Sequence, residues 1–128
     1  MTALGRQAWP DVASVRPLLA IPLGSCEQHG PHLPLDTDTT IAVALASELA
    51  RRRGDVLVAP PLADEASGEH AGFAGPLSIG LDALGHVLVE LVRSADHFDP
   101  TGASAAEGAQ LLDELATALV AAVATWPA

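Results

Sequence analysis

Cysteine, basic residues and long apolar runs are scarce in this sequence, and each shortage excludes a class of protein. The 128 residues include one cysteine, Cys26, so no internal disulfide can form, which fits a reducing compartment. Only 6 residues are lysine or arginine against 16 aspartates and glutamates, and the net charge of −10 argues against nucleic acid or an anionic membrane as partner. No apolar run approaches the roughly 18 residues that span a bilayer, and the N-terminus lacks a secretory pattern, so we expect a cytoplasmic protein.

What the sequence does contain is a dense group of polar side chains between an apolar segment and a helix start. Glu27, His29, His32, Asp36 and Asp38 lie within 12 residues of a chain in which charged residues are only 17%. Three prolines in the same stretch exclude a regular helix and predict a strand end that runs into an ordered loop. Such a loop can be a plain polar surface turn, but ligand sites of α/β proteins lie at the carboxyl ends of strands.

Three of these side chains, Glu27, His29 and Asp38, are the candidate metal ligands. Residues two apart in an extended chain project to the same side, so Glu27 and His29 can reach one point in space. An imidazole with two carboxylates suits Zn²⁺, Mn²⁺ or Fe²⁺. Cys26 beside His29 offers a second interpretation, a Cys/His nucleophile, although a small buried residue at a strand end is the simpler one.

The first half of the chain predicts a strand, a helix and a parallel strand. Residues 1–15 read as a loose lead-in, and the apolar run 18–23 predicts a strand buried on both faces. The helix should begin at Asp38 or Thr39 and end near Arg53 before Gly54, with residues 41, 45 and 49 stacked on one face. The start of that helix is positive, which favours an ionised Asp38. Residues 56–59 predict the second strand.

The second half has fewer regular elements. Residues 62–80 predict a long loop, in which Glu69 and His70 are candidates for a general acid or base or for solvated loop residues. Residues 82–95 predict an amphipathic helix that carries residues 84, 88, 91, 92 and 95 on one stripe and a solvated His86. Turn residues then occupy 96–102, where a further strand was due, and a capping box at Ser104 and Glu107 predicts a final helix to about Trp126.

Residues 24–38, from Gly-Ser-Cys-Glu-Gln-His-Gly to Asp-Thr-Asp, resemble the N-terminal metal motif of the creatininase family. A second block, residues 66–70 with 73–75 and 77–80, is similar to the active-site loop of that family. A third, residues 99–108, resembles the branch that trims a peptide precursor in mycofactocin biosynthesis. The resemblance covers most of the chain.

This resemblance implies an α/β fold, a three-layer α/β/α domain with a parallel sheet, and a binuclear divalent metal centre of zinc, iron or manganese. Glu27 would bind one metal, His29 the other, and Asp38 would bridge them, while no catalytic residue is assigned. The family's central strands and its later ligands are missing, so residues 1–128 predict one incomplete domain with an internal deletion near residues 99–101. His70 and His97 are the only histidines left to replace those ligands, and their spacing does not recommend them.

The resemblance also implies a function. We expect a metal-dependent amidohydrolase or peptidase that acts on the mycofactocin precursor peptide, with creatinine or another amide as further substrates and a homo-oligomeric assembly. The alternatives are a catalytically impaired remnant that serves as a binding or assembly module, and a simple metal-binding protein. An exposed sheet edge left by the missing strand would favour the assembly module.

Overall fold

The protein is described here by a computed structural model that covers residues 3–64, 66–96, 98 and 110. Within those residues the elements are a 3₁₀ turn (Leu4–Arg6), α1 (Trp9–Ala13), β1 (Leu18–Ala20), α2 (Thr37–Arg53), β2 (Val56–Val58), a second 3₁₀ turn (Gly68–His70) and α3 (Leu81–Arg93). His97, the predicted deletion near 99–101, the block 99–108 and the predicted last helix lie outside the described residues. None of the described helices combines the length and apolar character that crossing a membrane requires.

A two-stranded parallel sheet lies at the centre of the described structure. Leu18 pairs with Val56 and Ala20 with Val58, and α2 connects the two strands and packs on β2. The predicted strand, helix and parallel strand are therefore confirmed. The strand pairing resumes beyond the regular ladder as an isolated bridge between Leu23 and Leu62.

The first strand is shorter and less buried than the sequence predicts. It ends at Ala20, two residues before Pro22, which has no N–H to donate to a ladder. All three residues of β1 are half-buried, whereas Val56, Leu57 and Val58 of β2 are buried. The difference arises because β2 packs against both β1 and α2. Among the described elements, β1 packs mainly against β2.

The core is small and uses the alanines of α2. Ala50, Val56 and Val58 form its buried centre, with Leu18, Ala20 and Ala46 packed against it. The predicted stripe on the helix is largely outside this core, since Ile41 is 52% and Leu45 44% exposed. The predicted helix end is confirmed, because Gly54 adopts the left-handed conformation (φ 75°) and closes α2.

Two further predictions need correction. Residues 1–15 are not merely a loose lead-in, because the segment holds a 3₁₀ turn and α1, and Ala3 bridges to Val58. α3 forms close to the predicted bounds and buries Leu84, but Val92 is 68% exposed and so does not belong to a buried stripe. His86 is exposed, as predicted.

Candidate metal centre

The loop between β1 and α2 is closed at its base by contacts between its two ends. The Glu27 N–H donates to the Leu35 carbonyl oxygen at 3.1 Å, and the Thr39 hydroxyl donates to the Ser25 carbonyl oxygen at 3.3 Å. Gly24 lies so close to the first turn of α2 that a Cβ there would overlap the Cα of Thr39. The chain that leaves β1 is thereby brought against the start of α2.

This closure brings the three predicted ligands together. One ligand atom from each of Glu27, His29 and Asp38 lies within 4.8 Å of the other two. The His29 Nε2 and the Asp38 Oδ1 are 2.9 Å apart. Glu27 is the most buried of the three, with 17% of its side chain exposed. Two loop residues and one residue from the first turn of α2 therefore face the same point.

The protonation of His29 follows from its contacts. Its Nδ1 lies 3.1 Å from the carbonyl oxygen of Glu27, and because that oxygen can only accept, Nδ1 must carry the hydrogen. Nε2 lies 2.9 Å from the Asp38 carboxylate and donates to it when the ring is protonated, and it is the ring atom that a cation would take in place of that proton. The hydrogen bond to the Glu27 carbonyl, followed by that to the Asp38 carboxylate, raises the pKa of His29.

Asp38 is held as an ionised carboxylate. The Ser25 hydroxyl donates to its Oδ2 at 2.5 Å, and its Oδ1 faces His29. These contacts, that from Ser25 first, lower the pKa of Asp38. Its position in the first turn of α2 places it at the positive end of a 17-residue helix, which also favours the negative charge.

The arrangement fits a divalent cation. Two carboxylates and an imidazole offer oxygen and nitrogen donors of the kinds that Zn²⁺, Fe²⁺ and Mn²⁺ accept. With Nδ1 bound to the Glu27 carbonyl oxygen, Nε2 is the His29 atom that would bind the cation once it loses its proton, and Asp38 is already oriented by a hydrogen bond from Ser25. Between described residues, the ion pairs of arginine involve Glu48, Asp55 and Glu90, so no arginine is seen to neutralise Glu27 or Asp38.

A second group of possible ligands lies against the first, and the sequence did not reveal it. Glu69 and His70, from the long loop, each place a ligand atom within 4.8 Å of Glu27. The His70 Nε2 is 3.7 Å from the Glu27 Oε1. No helical or strand spacing links residues 27 and 70, so only the family-like Ser-Gly-Glu-His block signalled that this loop approaches the site.

The other polar candidates lie apart from this point. His32 and Asp36 are exposed. Cys26 is half-buried rather than fully buried, and its Sγ donates to the Gly75 carbonyl oxygen at 3.8 Å. Among the described hydrogen bonds none joins Cys26 to His29 or His32, so the structure lends no support to a Cys/His nucleophile.

Comparisons with known proteins identify the family of this chain. The family model described as "Creatininase: Creatinine amidohydrolase" matches residues 5–99. The chain is 50% identical over 99 residues to the mycofactocin precursor peptide peptidase of Mycolicibacterium smegmatis, a match that covers 73% of this chain and 40% of the relative.

Solved structures give the same result for the fold. A creatinine amidohydrolase (creatininase) superposes with a TM-score of 0.68 at 28% identity, over 75% of this chain and 40% of that one. A mutant creatininase of the Zn-Zn type superposes with a TM-score of 0.66 at 27% identity, over 73% of this chain and 40% of that one. The chain thus spans about 40% of the length of the relatives it matches. The fold is an incomplete creatininase-like α/β fold, and the chain belongs to the creatininase family.

Proposed function

We propose that the chain holds a divalent cation through Glu27, His29 and Asp38 and hydrolyses an amide bond of a peptide. The observation that carries the proposal is the convergence of these three side chains within 4.8 Å at the exit of β1. Family membership supports the reaction class. Because the chain spans about 40% of its relatives, the activity of those longer proteins is carried here as a hypothesis for this chain.

Some residues of the site would bind the cation, and others orient the side chains that bind it. Glu27, His29 and Asp38 would hold the cation, while Ser25 and the Glu27 carbonyl fix the ligand atoms of Asp38 and His29. A divalent cation bound there supplies Lewis-acid chemistry, polarising an amide carbonyl and lowering the pKa of water. His70, half-buried beside Glu27, lies where it can accept or donate a proton during hydrolysis.

The proposed substrate is the mycofactocin precursor peptide or a peptide like it. Support comes from relatives that carry that name at 50% identity. The surface beside the site suits a peptide, because Phe73 and Leu77 are each 58% exposed and can contact apolar side chains. Creatinine or another amide is the alternative substrate class. Zinc, iron or manganese is the proposed metal, and a cytoplasmic homo-oligomer without nucleic-acid or membrane partners is the proposed setting.

Metal content and amide turnover test this proposal together. The full chain should be stripped with a chelator, reloaded with Zn²⁺ or Fe²⁺ and assayed for cleavage of the precursor peptide. Asp38→Ala should lose bound metal and turnover. Asp36→Ala is the matched control, because Asp36 is exposed two residues earlier and makes no side-chain cap hydrogen bond to α2.

The outcomes separate the remaining interpretations. If Asp38→Ala binds metal as well as the unaltered chain does, the three-ligand centre is wrong. If the loaded chain binds metal through Asp38 but cleaves no amide, the catalytically impaired binding or assembly module becomes the better account. The half-exposed Ile41 and Leu45 on α2 would then be the first surface to test for a partner.

A further inference from the structure

We infer that the unpaired edge of β1 binds the peptide substrate as an added strand and leads it to the candidate metal centre. The inference rests on the proposed function, which supplies the occupant, a peptide whose amide bond is cut beside Glu27, His29 and Asp38. What it adds is the manner of recognition. In strand addition, main-chain hydrogen bonds hold an extended peptide, and the side chains of alternate residues set its specificity.

The hydrogen bonds of β1 all face one side. The Leu18 N–H donates to the Asp55 carbonyl oxygen at 2.9 Å, and the Ala20 carbonyl oxygen accepts from the Ala59 N–H at 2.8 Å. The pattern continues past the strand, where the N–H and the carbonyl oxygen of Leu62 bond to residues 22 and 24. Because the backbone groups of successive residues in a strand point to opposite edges, residues 19, 21 and 23 face away from β2.

This outer edge is open in the part of the chain that the structure describes. No described hydrogen bond uses the backbone groups of Leu19, Ile21 or Leu23, and β2 is the one strand that pairs with β1 there. The far edge of β2, by contrast, carries Ala3, which bridges to Val58. The described sheet can therefore accept a further strand beside β1.

The features that usually protect an open edge are missing from this one. No charged side chain occurs between Arg16 and Glu27, although charged residues commonly keep edge strands from pairing. Proline is another protection, but Pro22 faces the other way, since its carbonyl oxygen accepts from the Leu62 N–H at 3.0 Å. Residues 19–23 extend over about 13 Å at about 3.3 Å per residue, which is enough to pair with a peptide of about five residues.

The place where the edge ends favours a peptide as its occupant. Glu27 follows Leu23 by four positions, so a strand paired with residues 19–23 continues toward the candidate metal ligands. Leu77 is 58% exposed and is fixed at that point by its N–H, which donates to the Cys26 carbonyl oxygen at 3.0 Å. It can contact an apolar side chain of the added strand. A second copy of this chain fits the edge less well, because two chains that each carry a net charge of −10 repel.

Amide hydrogen exchange, measured by NMR on the full chain stripped of metal, tests the inference with the mycofactocin precursor peptide as the probe. In the free chain the amides of Leu18 and Ala20, which bond to β2, should exchange slowly and those of Leu19 and Ile21 quickly. Saturating peptide should slow exchange at Leu19 and Ile21 at least about 10-fold, because each gains a hydrogen bond. Removing the metal prevents cleavage, so binding is read separately from turnover.

A proline variant removes one donor of the edge. Leu19→Pro should weaken binding of the peptide about 10-fold and still bind Co²⁺. Leu81→Pro is the matched control, because Leu81 is the first residue of α3, where proline is accepted, and it should bind the peptide normally. If Leu19→Pro does not fold, peptides N-methylated at alternate residues replace it, and only one of the two alternate sets should weaken binding.

The other outcomes are distinguishable. Slow exchange at Leu19 and Ile21 in the dilute free chain overturns the inference, because the chain then covers its own edge. Slowing that needs a high concentration of chain and no peptide overturns it in favour of a second copy. A peptide that is cleaved by the metal-loaded chain but does not slow these amides overturns it and leaves the proposed function standing. Slowing by the peptide in a chain that binds no metal supports the edge and removes the proposed function.

Discussion

The β1–α2–β2 unit and the segment that follows it contribute to the site in different ways. In the first unit, Asp38 is held by Ser25 and His29 by a backbone carbonyl, at the edge of a packed core. In the second, Glu69 is exposed and His70 approaches Glu27 without a hydrogen bond to it. The first unit thus presents an oriented set of candidate ligands, whereas the second adds an exposed carboxylate and an imidazole that contacts Gln28.

The largest effect should come from the core of the first unit. Leu57 is 3% exposed, so Leu57→Ala should lower the free energy of unfolding by about 2–5 kcal/mol. The same change at Leu81, 75% exposed at the start of α3, should alter it by less than about 0.5 kcal/mol. Urea unfolding of both variants measures the difference, and equal losses would show that stability is not concentrated in the first unit.

A glycine pair sharpens the same comparison. Gly24→Ala places a methyl group against the Thr39 backbone, so it should cost about 1–3 kcal/mol of stability and weaken metal binding by displacing Asp38. Gly85→Ala, inside α3 with nothing within 4 Å, should instead stabilise by about 0.5–1 kcal/mol. Thermal unfolding with metal titration checks both, and a neutral Gly24→Ala would mean that the loop base can open.

The next largest effect should come from the side chains that hydrogen-bond to residues of the site, and it should appear in the metal affinity. Ser25→Ala removes the hydrogen bond to Asp38, so it should weaken metal binding by Glu27, His29 and Asp38 about 10- to 100-fold. The Gln28 side-chain amide contacts His70 and the Gly30 N–H, and none of its described hydrogen bonds involves His29 or Asp38, so Gln28→Ala should leave metal binding by Glu27, His29 and Asp38 unchanged. Calorimetric titration with Zn²⁺ compares them. Equal losses in the two variants would mean that the effect of Ser25→Ala does not come from its hydrogen bond to Asp38.

The smallest expected effect is on the pH dependence of stability, and it comes from Glu48, which is not part of the site. Hydrogen bonds from Arg51 and then Arg52 lower the pKa of Glu48 to about 2. A lowered pKa stabilises the folded chain above the unfolded value near 4.5, and this contribution is lost as the pH falls toward 2. The urea midpoint of Glu48→Gln should therefore lie slightly below that of the unaltered chain at pH 6 and approach it near pH 2. Salt should shrink the gap at pH 6, and a gap independent of pH would contradict the ion pair.

The sequence predicted what depends on local signals. α2 ends at Gly54 because three arginines and a glycine give a strong stop, and the site loop follows from its prolines and its acidic and histidine residues. The sequence did not predict which face of α2 is buried, because that depends on the surface of β2 against which the helix packs. Ile41 and Leu45 form a regular apolar stripe, yet the core selects the small side chains of Ala46 and Ala50, which let α2 lie close to β2.

The candidate site shows the same limit. Glu27, His29 and Asp38 share one loop, so their meeting could be foreseen from extended geometry and a helix start. His70 lies 43 positions after Glu27 and reaches it only because the chain bridges from Cys26 to Leu77. A contact made through such tertiary pairing leaves no periodic signal in the sequence.

The contact between Gly24 and Thr39 has a consequence for how the site endures. Gly24 packs against the Thr39 backbone, so residues 24–39 form a closed loop. The hydrogen bonds from Glu27 to Leu35 and from Thr39 to Ser25 lie within that loop. The convergence of Glu27, His29 and Asp38 therefore depends on contacts that close residues 24–39, and a change that opens this loop should separate the three side chains.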